Sequence, residues 1–343
     1  MKPRVVIVSP ALADANNGNW RTADRWQHML SGKFHAIVQA QWPGQAPDCD
    51  ALIALHARRS FPSIAAFRAA APQRPLVVVL TGTDAYRDLP DDPDARQALK
   101  LADALVVLQE GALDRLPAAA RRKTYVIHQS CRTLTPAKRP ARLLKCVVVG
   151  HLREEKSPQT IFDAVAQLAP GAPVRIDHVG APLDAGLAAQ ARALAGRAPR
   201  YRYLGALPHA QARQAIRRAH LLIHPSQVEG GANAIAEAVT AGTAVLASKI
   251  SGNVGMLGAG YPGYFEWNDA RALARMLERF AADHSLLAPL DRAIRARAGL
   301  FDPQTERNAL HRLLSSLLEP KAVIQSGLGR ARPRATPART RNP

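Results

Sequence analysis

Short apolar runs alternate with longer amphipathic stretches along most of the chain. The apolar runs are rich in Val, Ile and Leu, and each has the length of a strand rather than of a helix. Stretches between them, such as WRTADRWQHMLSG at 20–32, place apolar residues three and four positions apart, which predicts amphipathic helices. The predicted strands lie at 4–9, 35–39, 50–55, 76–80, 103–108, 124–128, 145–150, 174–180, 201–205, 220–225, 244–248 and 263–267.

Regular alternation of strands and helices predicts βαβ units, in which helices cover both faces of a parallel sheet. The series stops at 131–143, where CRTLTPAKRPARL brings in prolines and positive charge, and then resumes. We therefore predict an α/β chain of two doubly wound, Rossmann-like parallel-sheet domains that face a cleft. The predicted boundaries are 1–135 and 136–302, and a final helix at 303–319 is expected to pack back onto the first domain.

The formal charge of +19 raises the possibility of a nucleic-acid partner. Residues 321–343 hold six Lys or Arg and no acid, so +13 of that charge remains on the first 320 residues. The composition of 320–343 predicts a disordered basic tail. Elsewhere the excess Arg is scattered over amphipathic stretches. This distribution favours an Arg-rich background composition over a nucleic-acid-binding surface, so we expect no nucleic-acid partner. A small polyanionic substrate is a further explanation of the charge.

The three cysteines, Cys49, Cys131 and Cys146, show no CxxC spacing, so we expect reduced thiols and neither a disulfide framework nor a zinc site. No apolar stretch approaches the roughly 20 residues that a membrane span requires, and no secretory signal is visible. We therefore expect no membrane association and a cytoplasmic location. The GxGxxG, GxxxxGK[ST], GxSxG and HExxH signatures are missing from the sequence, which argues against the enzyme classes that carry them.

The segment VEGGANAIAEAVTAG at 228–242 is the strongest candidate for chemistry. Ligands of open α/β sheets bind at the carboxyl ends of strands, and this segment follows one. The backbone N–H groups at the start of the next helix form a natural seat for an anion, and glycines let a phosphate approach. The residues that would provide this seat are Gly230, Gly231, Ala232 and Asn233.

Two acids flank that seat, Glu229 before it and Glu237 within the helix. A carboxylate beside a phosphate site needs neutral hydrogen-bond donors such as sugar hydroxyls. A phosphate between two hydroxylated rings describes a sugar nucleotide. The alternative is a surface capping acid and an ordinary glutamate on a helix face, which α/β proteins commonly contain.

GHLREEKSP at 150–158 follows the first predicted strand of the second domain. Lys156 and His151 would reach a diphosphate in the cleft beside Gly150 and neutralise it as it leaves. The alternative is a solvated run of charges.

Polar and basic loops also follow strands of the first half, at 15–26, 56–60 and 81–88. Together they predict a small basic pocket without the long apolar surface that a lipid or polymer acceptor would need. For His56 a structural role is the alternative to a role as a base. The predicted acceptor-binding residues are Asn17, Gly18, Asn19, Arg21, His56, Arg59, Thr81, Thr83 and Asp84.

The two-domain alternation, GHLREEK and the glutamate pair around GGAN resemble the retaining-type nucleotide-sugar glycosyltransferases of the GT-B fold, glycosyltransferase family four. The resemblance implies that Glu229 contacts the hydroxyls of the donor sugar and Glu237 those of the ribose. In that family an Arg and a Lys grip the diphosphate. Lys156 matches the Lys, whereas His151 stands in place of the Arg, for which Arg153 is a candidate substitute.

NNGNWRTADRW, HARRS and TGTDAYRD, in this order and with the second-domain motifs, are similar to the selenosugar synthases of selenoneine biosynthesis over about residues 4–318. That resemblance implies UDP-N-acetylglucosamine or UDP-glucose as donor, selenophosphate as acceptor, and release of UDP and phosphate. It implies catalytic roles for Lys156, His151 and Glu229, with no cofactor and no obligatory metal. The alternatives are a glycosyltransferase with a sugar or lipid acceptor and a basic nucleic-acid-binding protein.

Overall fold

The computed structural model describes residues 1–10, 18–42 and 49–319. The predictions for Asn17 and for the tail at 320–343 concern residues outside these ranges.

The first half forms a six-stranded sheet with the order β2-β1-β3-β4-β5-β6, and every pair is parallel. Every residue of β3, β4 and β5 is buried, as expected for strands covered by helices on both faces. The strands are β1 (Arg4–Val8), β2 (His35–Gln39), β3 (Ala51–Leu55), β4 (Leu76–Leu80), β5 (Ala104–Val107) and β6 (Thr124–Val126). The helices are α1 (Gly18–Leu30), α2 (Phe61–Ala70), α3 (Leu89–Asp91), α4 (Pro93–Leu101) and α5 (Ala118–Arg121).

The second half repeats the plan with a parallel sheet of order β12-β11-β10-β7-β8-β9. Its strands are β7 (Leu144–Val149), β8 (Val174–Val179), β9 (Tyr201–Gly205), β10 (Leu221–His224), β11 (Ala244–Ser248) and β12 (Tyr264–Phe265). Its helices are α6 (Pro158–Gln167), α7 (Ala185–Arg197), α8 (His209–Arg218), α9 (Asn233–Thr240), α10 (Ser251–Leu257), α11 (Ala270–Ala282) and α12 (Ala288–Arg297). The two parallel sheets confirm the predicted α/β class.

The last helix, α13 (Pro303–Leu318), packs on the first sheet although it follows the second in sequence. Asp302 caps it by accepting hydrogen bonds from the backbone N–H groups of Gln304 and Thr305. Three leucines on one helix face then join the core formed by β1, β3 and α1. These are Leu310, Leu313 and Leu314.

A buried carboxylate fixes the position of α13. Glu306 accepts hydrogen bonds from Arg25 Nε at 2.9 Å, from the Trp26 indole N–H at 2.7 Å and from the Ser130 backbone N–H at 2.8 Å. Its side chain is fully buried, so the charge depends on these donors. Glu306 thus ties α13 to α1 and to the segment that leaves β6.

The strand ends of the two halves meet along a line of glycines. A Cβ atom on Gly230 would overlap the carbonyl group of Thr81 and lie 2.5 Å from Cα of Gly82. Likewise, a Cβ on Gly111 would lie 2.5 Å from the Ser251 carbonyl oxygen. On the side of Gly230 where a Cβ atom would stand, the backbone of the first half therefore lies in close contact. That the Gly230 N–H group binds a phosphate stays a prediction.

We expect Glu306→Gln to lower the free energy of unfolding by about 3 kcal/mol, because the amide cannot satisfy all the buried donors that the carboxylate accepts. Urea unfolding followed by circular dichroism measures the loss. Glu266→Gln is the matched control, since the Glu266 side chain is 74% exposed. Equal stability of the two variants would contradict the anchoring role of Glu306.

We expect Gly230→Ala to destabilise the protein by about 1–3 kcal/mol, because the added methyl group meets backbone that cannot move aside cheaply. Gly260→Ala makes the same chemical change where no atom lies within 4 Å of the new Cβ, and it should be close to neutral. Thermal unfolding of both variants tests this, and an equal response would show that the contact at Gly230 is unimportant.

Candidate functional site

The carboxyl ends of both sheets line a shared cleft. In addition to the glycine contacts, Gly18 at the start of α1 faces Asn233 at the start of α9. A Cβ atom on Gly18 would lie 4.0 Å from the side-chain nitrogen of Asn233. Two helix N-termini, each with a partial positive charge, therefore approach each other across the cleft.

Glu229 is the centre of the second-half side of the cleft. Its Oε1 lies 2.5 Å from Nζ of Lys156 and 3.0 Å from Nε2 of His224, the last residue of β10. Burial alone would raise the pKa of the Glu229 carboxyl, but Lys156 and His224 hold it well below its ordinary value. The carboxylate is therefore ionised and held in one orientation, as a ligand for neutral hydroxyl groups must be.

The loop after β7 brings Lys156 to Glu229 through a short 3₁₀ turn at Glu154–Lys156. Gly150 packs against the Lys156 side chain, where a Cβ atom would lie 3.7 Å from Lys156 Cδ. The ammonium of Lys156 has three N–H donors, and Glu229 engages one of them. Two donors are left for oxygen atoms of a ligand.

His151 has a defined hydrogen-bonding role. Its Nδ1 lies 3.0 Å from the backbone nitrogen of Ala181, which can only donate, so neutral His151 carries its proton on Nε2. Burial, reinforced by the charges of Arg153, Lys156 and Arg21, lowers the His151 pKa. His151 is therefore a neutral N–H donor rather than a second cation, and the charge of Arg21 reaches it from the opposite side of the cleft.

Arg153, the predicted substitute for a phosphate-binding arginine, is about half exposed and lies 3.9 Å from Glu155. Glu155 also lies 3.3 Å from Arg87 of the first half. Arg87 donates a second hydrogen bond, of 3.3 Å, to Gln227 in the loop before Glu229. Arg87 thus connects the first half to both second-half loops that carry the predicted donor-site residues.

At the start of α9, Ala232 takes the N-cap position and Gly231 packs against the first half. A Cβ atom on Gly231 would lie 2.7 Å from Cβ of Leu108. Glu237 follows on the helix with a nearly buried side chain, and its Oε1 lies 2.6 Å from Nε2 of His209. Both glutamates of the segment therefore have a histidine partner.

The predicted acceptor-side residues fall into two groups. Asp84 is fully buried and accepts hydrogen bonds from the backbone N–H groups of Ala57, Thr81, Gly82 and Ala85. This is the position of a loop-organising carboxylate, which differs from the predicted ligand role.

His56 likewise lies inside the loop, with Nε2 at 3.1 Å from the Thr83 hydroxyl and with an unusual φ of 72°. Burial lowers its pKa. The other predicted acceptor residues lie nearer the surface. Asn19, Arg21, Thr81 and Thr83 are partly buried, whereas Gly18 and Arg59 are exposed.

Four further polar residues contact predicted site residues or the line where the two halves meet, and none of them was predicted from the sequence: His224, His209, Arg87 and Tyr86. The Tyr86 hydroxyl accepts a 2.8 Å hydrogen bond from Gln109 and lies 3.4 Å from the Ser251 hydroxyl across the line of glycines. His224 and His209 do follow the strand-end rule, since one ends β10 and the other begins α8 after β9.

In residues 1–10, 18–42 and 49–319, no group of three or more His, Cys, Asp and Glu side chains is arranged to hold a metal ion. Within the same ranges, no helix combines the length and the apolar character that crossing a membrane requires.

We expect the stabilising effect of Glu229 to depend on pH. Its folded-state pKa lies below the ordinary value of 4.5, so the effect is complete above that value and is lost as the pH falls towards the folded-state pKa. The difference in unfolding free energy between the wild type and Glu229→Gln should therefore shrink between about pH 5 and pH 3. Urea unfolding across this range measures it, and a constant or growing difference would contradict the lowered pKa.

The second half of the chain is similar to a known protein family. Residues 136–297 match the family model described as "Glycosyl transferases group 1". No curated protein sequence matches the chain.

Several solved structures share the architecture of the chain. HepE from Anabaena, in complex with UDP and glucose, has a TM-score of 0.70 and 19% identity, with 92% of this chain and 100% of HepE covered. Sucrose-phosphate synthase from Thermosynechococcus elongatus has a TM-score of 0.70 and 17% identity, with 92% and 99% covered. The lipopolysaccharide outer core galactosyltransferase WaaB, in its apo form, has a TM-score of 0.67 and 14% identity, with 92% and 99% covered.

At these identities the likeness shows the fold, which confirms the predicted GT-B arrangement. The matched region contains Lys156, Glu229 and Glu237. The chain has the GT-B fold, and its residues 136–297 match the glycosyl transferases group 1 family model.

Proposed function

We propose that the protein is a nucleotide-sugar-dependent glycosyltransferase that makes a selenosugar from a UDP-sugar and selenophosphate. The observation that carries the donor half of this proposal is the pair of oriented acids on either side of the α9 N-terminus, with Lys156 bound to the first of them. HepE, which shares the fold, is described in complex with UDP and with UDP-glucose.

Each donor-site residue has a role that its contacts support. Glu229, ionised and held by Lys156 and His224, accepts hydrogen bonds from hydroxyl groups of the donor sugar. Glu237 accepts hydrogen bonds from the ribose hydroxyls. The two N–H donors of Lys156 that Glu229 leaves available bind oxygen atoms of the diphosphate.

The main catalytic requirement is to stabilise UDP as the bond to the sugar breaks. Lys156 supplies a positive charge, and the Nε2–H of neutral His151 supplies a hydrogen bond. We propose Arg153 as a further donor-site residue, since its side chain is about half exposed and lies in the same loop as His151 and Lys156. These three groups stabilise the leaving UDP. We therefore propose that the reaction needs no bound metal.

The acceptor half of the proposal depends on charge and size. Selenophosphate is a small anion with an already nucleophilic selenium, so the site needs cations and amides rather than a strong base. Selenium attacks C1 of the sugar while the C1–O bond breaks and its electron pair leaves with UDP. Over the whole reaction the Se–P bond is also hydrolysed: water gives its oxygen to phosphorus and a proton to selenium, so phosphate and the selenosugar are released. Arg21 and the backbone at the α1 N-terminus provide the positive environment that two neighbouring anions require.

We expect the purified protein, given UDP-N-acetylglucosamine or UDP-glucose with selenophosphate, to release UDP and form the matching selenosugar. Mass spectrometry follows both products. Glu229→Gln should lose at least about 100-fold in turnover, because an oriented ligand of the transferred sugar is lost, whereas Glu266→Gln should match the wild type. EDTA should leave turnover unchanged. The absence of both products with every UDP-sugar tested would refute the proposal.

A glycosyltransferase with a sugar or lipid acceptor is the second candidate. The family match fits it equally well, because that match covers residues 136–297 and not the first half, where the acceptor-binding residues are predicted. The same assay separates the two, because release of UDP with a sugar or lipid acceptor and none with selenophosphate would support the second candidate.

A further inference from the structure

His209 contacts the second acid of the site from a different element. It is the first residue of α8, four positions after the end of β9, and so lies at the carboxyl edge of the sheet. Its Nε2 is 2.6 Å from Glu237 Oε1, and its side chain is 44% exposed whereas that of Glu237 is 9% exposed. The histidine thus holds an acid whose side chain is almost completely buried.

The chemistry of this contact fixes which atoms are left for a ligand. An ionised carboxylate only accepts hydrogen bonds, so Nε2 of His209 must carry the proton that it donates to Oε1. The remaining acceptor capacity of Glu237 lies mainly on Oε2. An oxygen atom that is held in one direction can accept hydrogen bonds from two adjacent hydroxyl groups, such as the 2′ and 3′ hydroxyls of a ribose.

The contact also reduces the cost of binding. A glutamate side chain loses rotamer freedom when it is immobilised, and a partner that orients it beforehand removes that loss from the binding step. His224 does the same for Glu229 at 3.0 Å. The site therefore uses one histidine for each of its two acids.

We propose that His209 is a positioning residue that presets Glu237 for a ribose cis-diol and thereby selects ribonucleotide donors over deoxyribonucleotide donors. This inference rests on the proposed function, because it takes the ligand of Glu237 to be a nucleoside diphosphate. His209 touches Glu237 rather than the reacting atoms, so it acts on recognition of the nucleotide and not on bond breaking.

The test compares the binding of UDP and of 2′,3′-dideoxy-UDP by calorimetry. The wild type should prefer UDP by about 10- to 100-fold, the range expected when charge-assisted hydrogen bonds to two hydroxyls are lost. His209→Met should reduce this preference by about tenfold by weakening UDP binding alone. His209→Gln should restore most of it, because the glutamine amide places an N–H donor near the position of Nε2.

Two further variants make the test specific. In a Glu237→Gln background, His209→Met should have no additional effect, since the residue that it positions has changed. His28→Met is the matched control, because His28 also pairs with a carboxylate, 3.6 Å away on Asp24, but its side chain is 77% exposed on α1. That variant should bind both nucleotides as the wild type does.

Equal weakening of both nucleotides by His209→Met, or no weakening of either, would overturn the positioning role while leaving the proposed function intact. Failure of the wild type to bind UDP would overturn the proposed function itself, and with it the basis of this inference.

Discussion

The geometry of the cleft depends on one buried negative charge, the carboxylate of Glu229. The carboxylate of Glu229 has lost most of its contact with water, which would cost several kcal/mol for an unpaired ion. Lys156 from the loop after β7 and His224 from the end of β10 compensate it within hydrogen-bond distance. Because neither loop can move away without exposing an unpaired buried group, this cluster fixes the relative positions of the β7 and β10 strand ends. The GGAN turn that leads into α9 starts from that fixed point.

A second constraint is the accumulation of positive charge at the proposed diphosphate site. His151 limits it because it is a neutral group. His151 has a lowered pKa and a backbone partner on Nδ1, so it donates a hydrogen bond without adding a cation beside Lys156. His209 and His224 direct their N–H groups to carboxylates, so they orient acids. The site thus combines the cation of Lys156 with the neutral N–H donor of His151, an arrangement that suits the proposed diphosphate ligand.

The alternation of apolar runs and amphipathic stretches was sufficient to predict two parallel sheets, because strand and helix periodicities are local properties of the sequence. The rule that ligands bind at strand ends also selected Lys156 and Glu229 from different strand ends, and the structure places them within hydrogen-bond distance of each other. What the sequence could not provide was the direction of each side chain. Asp84 stands at a strand end, yet four backbone N–H groups turn its carboxylate into the loop.

The same limit applies to pairs that are formed by tertiary structure. His209 lies 28 positions before Glu237, and Arg87 lies 68 positions before Glu155. No periodicity links such residues, since the contacts arise from how α8 packs beside α9 and how the two halves meet. At Gly230 the residue type indicated that some group approaches closely, but not which one. On the side where a Cβ atom would stand, that group is the backbone of Thr81 and Gly82.

A crystal structure of the protein with bound UDP would test the central claim most directly. We predict that the ribose hydroxyls lie within hydrogen-bond distance of Glu237 and that the diphosphate lies beside Lys156 and His151 at the start of α9. UDP bound outside this cleft, or bound within it with the ribose turned away from Glu237, would contradict the assignment of the donor site.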